Sequence, residues 1–230
     1  MAMNRFGRLL VLSACLVASA VEAGSLELPF QIGGAYNVPI KSIREGRFTS
    51  TIRQQFDFSC GSAALSTLLT HHYGYPVTED KVFEEMFTLG DQTKIRVEGF
   101  SLLDMKRYLA AHGFAADGFV ESLEKLAGAN IPAIVLVNEK GYNHFVVIKG
   151  LRDGRVLIGD PASGTRAMTV HAFNEVWANH ILFVVGNRQD EASFNVANDW
   201  RATPTAPFGN GVNREGLAGI VMPRLGPSDF

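Results

Sequence analysis

The chain has 230 residues, enough for one ordinary domain with extensions. Apolar residues make up 47% of it and charged residues 19%, a balance that predicts a folded core rather than disorder. The formal net charge of −2 argues against a general nucleic-acid-binding protein, and the sequence has no Gly-Lys-Ser/Thr loop for nucleotide phosphates. We therefore expect no nucleic acid and no ATP as partners, and no cofactor or metal.

The N-terminus, residues 1–23, has the pattern of an export signal. Basic residues precede an apolar run from Leu9 to Val21, and a small-residue pattern ending at Ala23 predicts cleavage before Gly24. The run is short for a membrane span. The alternative is a lipoprotein site that would leave a lipidated Cys15 at the new N-terminus. We predict a periplasmic protein that is attached to a membrane only if Cys15 is lipidated.

Residues 24–46 are predicted to form an N-terminal arm with little helical periodicity. It contains the segment Glu27–Gly34, which ends in two glycines. The simplest interpretation is a flexible linker. The alternative is a segment that binds in a groove of its own chain.

Residues 47–186 are predicted to form one α+β domain. Helices are expected over about 59–74, 78–87, 101–113 and 122–127, and Ser101 with Asp104 has the capping-box pattern. Short runs rich in Val and Ile then predict an antiparallel sheet, with strands over 131–137, 144–150, 155–160, 167–170 and 181–185 and a short helix over 171–179. Residues 187–230 have weak apolar spacing and are predicted to be a flexible C-terminal tail, with local docking on the domain as the alternative.

Cys60 is the one cysteine that remains after the signal is removed with Cys15. It is placed at the start of the first helix of the domain, where backbone N–H groups and the helix dipole favour an anion. We therefore predict a lowered thiol pKa and a nucleophilic sulfur. Gly61 is expected to leave space beside the sulfur for a substrate carbonyl. The alternative is a small apolar residue that only packs at a helix start.

A nucleophilic thiol needs a base and an acceptor that orients the base. Among the six histidines, His144 opens an apolar strand, and Asp160 follows it sixteen residues later. A hairpin that turns around Arg152 places His144 opposite Asp160, close enough to pair. A turn at Asp153-Gly154 would instead offset them by about three residues, roughly 10 Å. We predict the first register. The alternatives to a catalytic pair are that His144 is a surface residue at a strand end and that Asp160 only forms a turn.

These residues resemble a known family. The strings Gln-x-Asp-x-x-Cys-Gly, His-Phe-x-Val and Asp-Pro-Ala-x-Gly, in this order, are similar to the bacteriocin-processing cysteine endopeptidases of papain-like fold, peptidase family C39. The resemblance covers about residues 50–186 and implies that Cys60 is the nucleophile, His144 the base and Asp160 its partner. It also implies a glutamine that donates to the oxyanion. The usual spacing selects Gln54, which we favour, whereas the Gln-x-Asp string selects Gln55.

Family members joined to ABC transporters continue into membrane spans and an ATPase. This sequence more resembles the stand-alone exported members that are encoded with functional-amyloid secretion systems. The resemblance therefore implies a periplasmic cysteine endopeptidase in functional-amyloid or biofilm assembly, with an exported protein or peptide of the same operon, such as amyloid subunits or secretion components, as substrate. The alternatives are a non-catalytic papain-like module or chaperone that holds an exported chain, and acyl transfer of the transglutaminase kind.

Overall fold

The computed structural model describes residues 25–28, 36–39 and 42–204, in two units that divide after Ser42. In the first unit, strands β1 (Ser25–Leu28) and β2 (Tyr36–Pro39) pair antiparallel. Three parts of the chain for which we made sequence predictions lie outside the described residues. They are the export signal with Cys15, the segment 29–35 that contains the two glycines, and residues 205–230 of the predicted C-terminal tail.

The second unit is an α+β domain, as predicted from the sequence. Its helices are α1 (Ile43–Arg47), α2 (Cys60–His72), α3 (Glu79–Leu89), α4 (Gln92–Glu98), α5 (Leu102–Ala111), α6 (Leu123–Ala129), α7 (Val170–Val176) and α8 (Ala197–Arg201). Its strands are β3 (Ala116–Val120), β4 (Ala133–Glu139), β5 (Tyr142–Arg152), β6 (Arg155–Asp160), β7 (Gly164–Thr169) and β8 (Ile181–Val185). They form one antiparallel sheet in the order β3-β8-β4-β5-β6-β7.

The helix starts follow the capping rules read from the sequence. The side chains of Thr78, Asp91, Ser101, Ser122 and Thr169 each accept a hydrogen bond from the first turn of the helix that follows. The predicted capping box of Ser101 and Asp104 is present. Helix α4 and strand β3 were not predicted, because each buries only one residue and so shows no apolar period. The short elements β1, β2, α1 and α8 were not predicted either.

Helices cover both faces of the sheet, and α2 is the central one. Its apolar residues, with those of α3 and α5, pack against Phe145 and Val147 of β5. On the opposite face, α6 and α7 pack against Val146 and Ile148 of the same strand. Because β5 is covered on both faces, it reads as a continuous apolar run.

The hairpin of β5 and β6 differs from the predicted register. Its turn lies at Asp153-Gly154, where both residues have positive φ (53° and 68°), as a two-residue hairpin turn of type I′ requires. The predicted turn around Arg152 was therefore wrong, since Arg152 pairs with Arg155 inside the ladder. A β-bulge at Lys149 then shifts the pairing by one residue for the rest of the hairpin.

The structure describes packed residues beyond position 186, where the sequence placed the end of the domain. A 3₁₀ turn (Gln189–Glu191) and α8 follow β8. The Lys149 Nζ donates to Asp199 Oδ2 over 2.9 Å, and both side chains are buried. Ser193 and His72 exchange two hydrogen bonds, of 2.8 and 2.6 Å. Residues 187–204 therefore dock on the domain, because they supply the counter-ion of a buried lysine.

Candidate active site

Cys60 is the first residue of α2 and lines a cleft. Its side chain is nearly buried, with 8% exposed. The cleft has a volume of about 670 Å³ and is formed by the loop before α2, the end of α4 and the start of β5. Its lining residues are Asp57, Phe58, Cys60, Arg96, Val97, Glu98, Gly99, Phe100, Leu136, Tyr142, Asn143 and Phe145. The helix start therefore places the sulfur at a concave surface.

The surroundings of Cys60 raise the pKa of its thiol, contrary to the lowered value predicted from the sequence. Burial is the main cause, and hydrogen bonds from the backbone N–H groups of Phe145, Gly61 and Cys60 only partly oppose it. The charge of Asp160 also raises this pKa. The helix dipole alone therefore does not yield a thiolate here, and a base is required.

Gly61 has a different role from the one expected. A Cβ atom at this position would lie 2.9 Å from the Cβ of Phe100 and 3.0 Å from the Cε of Met105. The space beside Gly61 is therefore filled by Met105 of α5 and by Phe100, and is not open to a substrate. Glycine is needed because α2 packs closely against these side chains.

His144 and Asp160 form a buried pair, with 3.4 Å between Nε2 and Oδ2. The β-bulge at Lys149 explains how these two side chains come together. With the shifted register, Asp160 falls opposite Val146, two residues from His144, and residues two apart share a face of the strand. Without the extra residue, Asp160 would oppose Val147 and face the other side. The side chains predicted to pair do so, although they are not directly opposite.

Donors converge on the Asp160 carboxylate. It accepts from the backbone N–H groups of Ala162 (2.8 Å) and Ser163 (3.3 Å), from Ser163 Oγ (2.9 Å) and from His144. Burial by itself would raise the pKa of this carboxyl. The hydrogen bonds from His144 and Ala162, the His144 charge and Ser163 outweigh it and hold the pKa well below its usual range. Asp160 is therefore ionised at neutral pH.

The contact with Asp160 determines which nitrogen of the neutral His144 ring carries the proton. An ionised carboxylate only accepts hydrogen bonds, so the proton of the neutral ring lies on Nε2. The other nitrogen, Nδ1, is buried and has no hydrogen-bond partner among the described residues. His144 Nδ1 is therefore free to accept a proton.

Arg166 was not singled out from the sequence, yet it contacts the same carboxylate. Its Nε and Nη2 lie 3.2 and 3.1 Å from Asp160 Oδ2, and Nη2 also donates to Glu139. The sequence spacing after Asp160 could have indicated this contact. A hairpin closed by Asp160 and Gly164 puts Arg166 two residues further along β7, on the same face as Asp160.

Tyr142 was also missed, and it covers His144. The two rings stack with their centroids 5.6 Å apart, and the Tyr142 hydroxyl donates to the backbone oxygen of Asp57 over 2.9 Å. Tyr142 precedes His144 by two residues on β5, so the period of the strand places both on one face. It links the β5 side of the cleft to the loop before α2.

The two candidate glutamines have different environments. The Gln54 backbone N–H donates to Pro161 O over 3.1 Å, next to Asp160, and its side-chain Nε2 donates to Phe56 O over 3.1 Å. Gln55 lines another surface cleft, with residues of the α2 C-terminus and the α3 N-terminus. The loop therefore brings Gln54, rather than Gln55, close to the residues after β6.

The fold is that of a papain-like cysteine peptidase domain. The peptidase domain of Streptococcus ComA, described as a bi-functional ABC transporter involved in a quorum sensing pathway, has this fold. It superposes on the chain with a TM-score of 0.50 and 21% sequence identity, covering 60% of this chain and 97% of that domain.

A family model and two relatives identify the family within this class. The model of the Peptidase C39 family matches residues 49–189. The chain is also 38% identical over 188 residues to the Probable functional amyloid protease FapD of Pseudomonas aeruginosa, covering 81% of this chain and 83% of that protein. The protein of the same name from Pseudomonas fluorescens is 38% identical over 179 residues, covering 77% and 79%. The chain belongs to the Peptidase C39 family, as the sequence motifs indicated.

Two features are absent from the part of the chain that the structure describes. Within it, no helix is both long enough and apolar enough to cross a membrane. Within the same residues, no cluster of three or more His, Cys, Asp or Glu side chains has the geometry to hold a metal ion.

Proposed function

We propose that this protein is a cysteine endopeptidase with Cys60 as nucleophile, His144 as base and Asp160 as the acceptor that orients the base. The observation that carries the proposal is the buried pair of His144 and Asp160, joined over 3.4 Å next to the helix start that holds Cys60. Family membership supports a peptidase of this kind.

The proposed reaction begins with a protonated thiol, because burial raises the pKa of Cys60. His144 Nδ1 takes the thiol proton as the sulfur attacks the substrate carbonyl carbon. Asp160 stabilises the imidazolium that forms and keeps Nε2 protonated. His144 then gives the proton to the leaving amine, and water hydrolyses the acyl-enzyme.

The tetrahedral intermediate needs donors for its oxyanion. We assign this role to the Gln54 side-chain amide, together with the backbone N–H at the start of α2. The Gln54 amide donates to Phe56 O in the present structure, so it must leave this partner when substrate binds. Gln55 is the less suitable candidate, because it lines a different cleft.

We further propose that the enzyme acts in the periplasm on an exported protein of a functional-amyloid system. The predicted export signal supports the location, and the printed names of the two Pseudomonas relatives support the context. The cleft beside Cys60 is large enough for several residues of an extended peptide.

The test is incubation of the purified mature protein with the exported proteins of its operon, followed by mass spectrometry. We expect defined cuts that disappear with Cys60→Ala and with His144→Ala. Cuts that persist with Cys60→Ala would contradict the assigned nucleophile. Binding of an exported chain without any cut would favour the non-catalytic module instead.

A further inference from the structure

Glu79 is a buried carboxylate outside the catalytic set, and it lies beside the candidate oxyanion loop. It is the first residue of α3 and only 3% exposed. Its two oxygens accept from the Gln55 backbone N–H over 3.1 and 3.3 Å. One of them also accepts from the Ser59 hydroxyl and, over 3.4 Å, from Ser62 Oγ. A single side chain therefore joins the loop before α2 to the first turn of α2.

Ser59 shows why this contact matters for Cys60. It is the N-cap residue of α2, yet its side chain does not cap its own helix. The hydroxyl donates to Glu79 instead, which leaves its oxygen free to accept from the Phe56 backbone N–H over 3.1 Å. The side chain of the residue before Cys60 is thus held by α3 and by the loop, while its backbone oxygen accepts from the Ala63 N–H and from Ser62 Oγ of α2.

The loop is held from two sides. The backbone N–H of Gln54 donates to Pro161 O, and the next backbone N–H, that of Gln55, donates to Glu79. These two bonds tie successive peptide units to the residue after Asp160 and to α3. Together they fix the direction in which the Gln54 side chain leaves the backbone.

The buried charge is compatible with this position. The carboxylate lies at the N-terminus of α3 and contacts the N-cap residue of α2, and both helix ends favour an anion. Burial nevertheless raises the pKa of Glu79, with the hydrogen bonds from Ser59 and Gln55 opposing it. Burying a carboxylate is unfavourable, and the several hydrogen bonds that Glu79 accepts offset this cost.

We infer that Glu79 is a positioning residue: it holds the Gln54–Gln55 loop at the distance from Cys60 that an oxyanion donor needs. The inference rests on the proposed cysteine chemistry. Its consequence is selective, because loss of Glu79 should impair a reaction that forms an oxyanion more than a reaction that needs only the sulfur.

Two probes of Cys60 separate these effects. The ester p-nitrophenyl N-acetylglycinate forms a C–S bond to Cys60 through a tetrahedral oxyanion and releases p-nitrophenolate, whereas iodoacetamide alkylates the sulfur by direct displacement of iodide. We expect Glu79→Ala to lower the rate of ester acylation by at least about tenfold. The alkylation rate should stay within about twofold of the wild-type rate. Glu79→Gln, which keeps an acceptor oxygen, should restore most of the acylation rate.

The matched control is Glu84→Ala, an exposed carboxylate on the same helix, which should change neither rate. If Glu79→Ala does not fold, Glu79→Asp replaces it, since a side chain one methylene shorter keeps the charge but does not reach the loop. Unchanged acylation, or equal losses with both probes, would overturn the inference. If the wild-type protein reacts with the ester no faster than Cys60→Ala, the proposed function fails instead.

Discussion

At the scale of single residues, Asp160 connects the chemistry to the fold. Donors from Ala162, Ser163, His144 and Arg166 surround it, so it keeps its charge although it is buried. The same carboxylate that orients His144 also closes the turn after β6. A substitution of Asp160 can therefore affect the contact with His144 and the turn differently, depending on which acceptor oxygens the new side chain keeps.

We expect Asp160→Asn to preserve the turn but to lower ester acylation of Cys60 by about 10²- to 10⁴-fold. The amide oxygen still accepts from Ala162 and Ser163, but the amide no longer fixes the His144 tautomer. The rate and the melting temperature measure the two effects. Asp153→Asn, at an exposed position in the turn before β6, is the control and should leave the rate unchanged. A fully active Asp160→Asn protein would show that another group orients the base.

At the scale of elements, a buried ion pair joins the bulge in β5 to helix α8. Lys149 is the extra residue of the bulge, and its ammonium group is completely buried. It donates to Ser50 and Asp199, so it ties β5 to the start of the domain and to α8. Burial lowers the pKa of Lys149, and Asp199 opposes that shift. The register that brings Asp160 to His144 thus includes a buried ion pair.

We expect Asp199→Ala to destabilise the domain by about 3 to 5 kcal/mol, because it leaves the buried Lys149 charge without its partner. Urea unfolding at neutral pH measures the loss. The double variant Lys149→Met with Asp199→Leu should lose much less, because it removes both charges together. Asp190→Ala, an exposed residue in the preceding turn, serves as the control. An Asp199→Ala protein as stable as the control would show that α8 does not compensate Lys149.

At the scale of the whole molecule, acid should weaken the fold in two separate pH ranges. Burial, with the nearby Lys149 charge, lowers the pKa of His72 to about 4. Between about pH 6.5 and 4 the unfolded chain therefore binds a proton at His72 that the folded chain does not. Asp160 acts lower. Its folded pKa is depressed, so its stabilisation is present above about pH 4 and is lost as the pH falls further.

We expect the free energy of unfolding to fall by about 3 kcal/mol between pH 6.5 and 4 through His72 alone. Replacement by Gln removes the titration, so the His72→Gln protein should show a correspondingly flatter pH dependence over this range, whatever its stability at neutral pH. His171→Gln, with a side chain 85% exposed, should keep the wild-type slope. Equal slopes for His72→Gln and wild type would contradict the buried neutral histidine.

Much of this molecule followed from local sequence. Capping residues marked the helix starts, and runs of Val and Ile marked most of the strands, because both signals act within a few residues. Cys60, His144 and Asp160 were named for the same reason: each stands at or near the end of an element, in a short motif. Helix α4 and strand β3 were not predicted, because they bury too little to show a period.

Tertiary structure decided what depends on contacts between distant segments. No local pattern indicated the bulge at Lys149, whose buried charge is paired with Asp199, fifty residues later in the chain. The raised pKa of Cys60 likewise comes from burial, which a helix start does not reveal. Glu79 reads as an ordinary first-turn acid of its own helix, and only packing brings it to Ser59 and Gln55. Sequence by itself named the groups that carry the proposed chemistry, and the folded chain determined how they are held and charged.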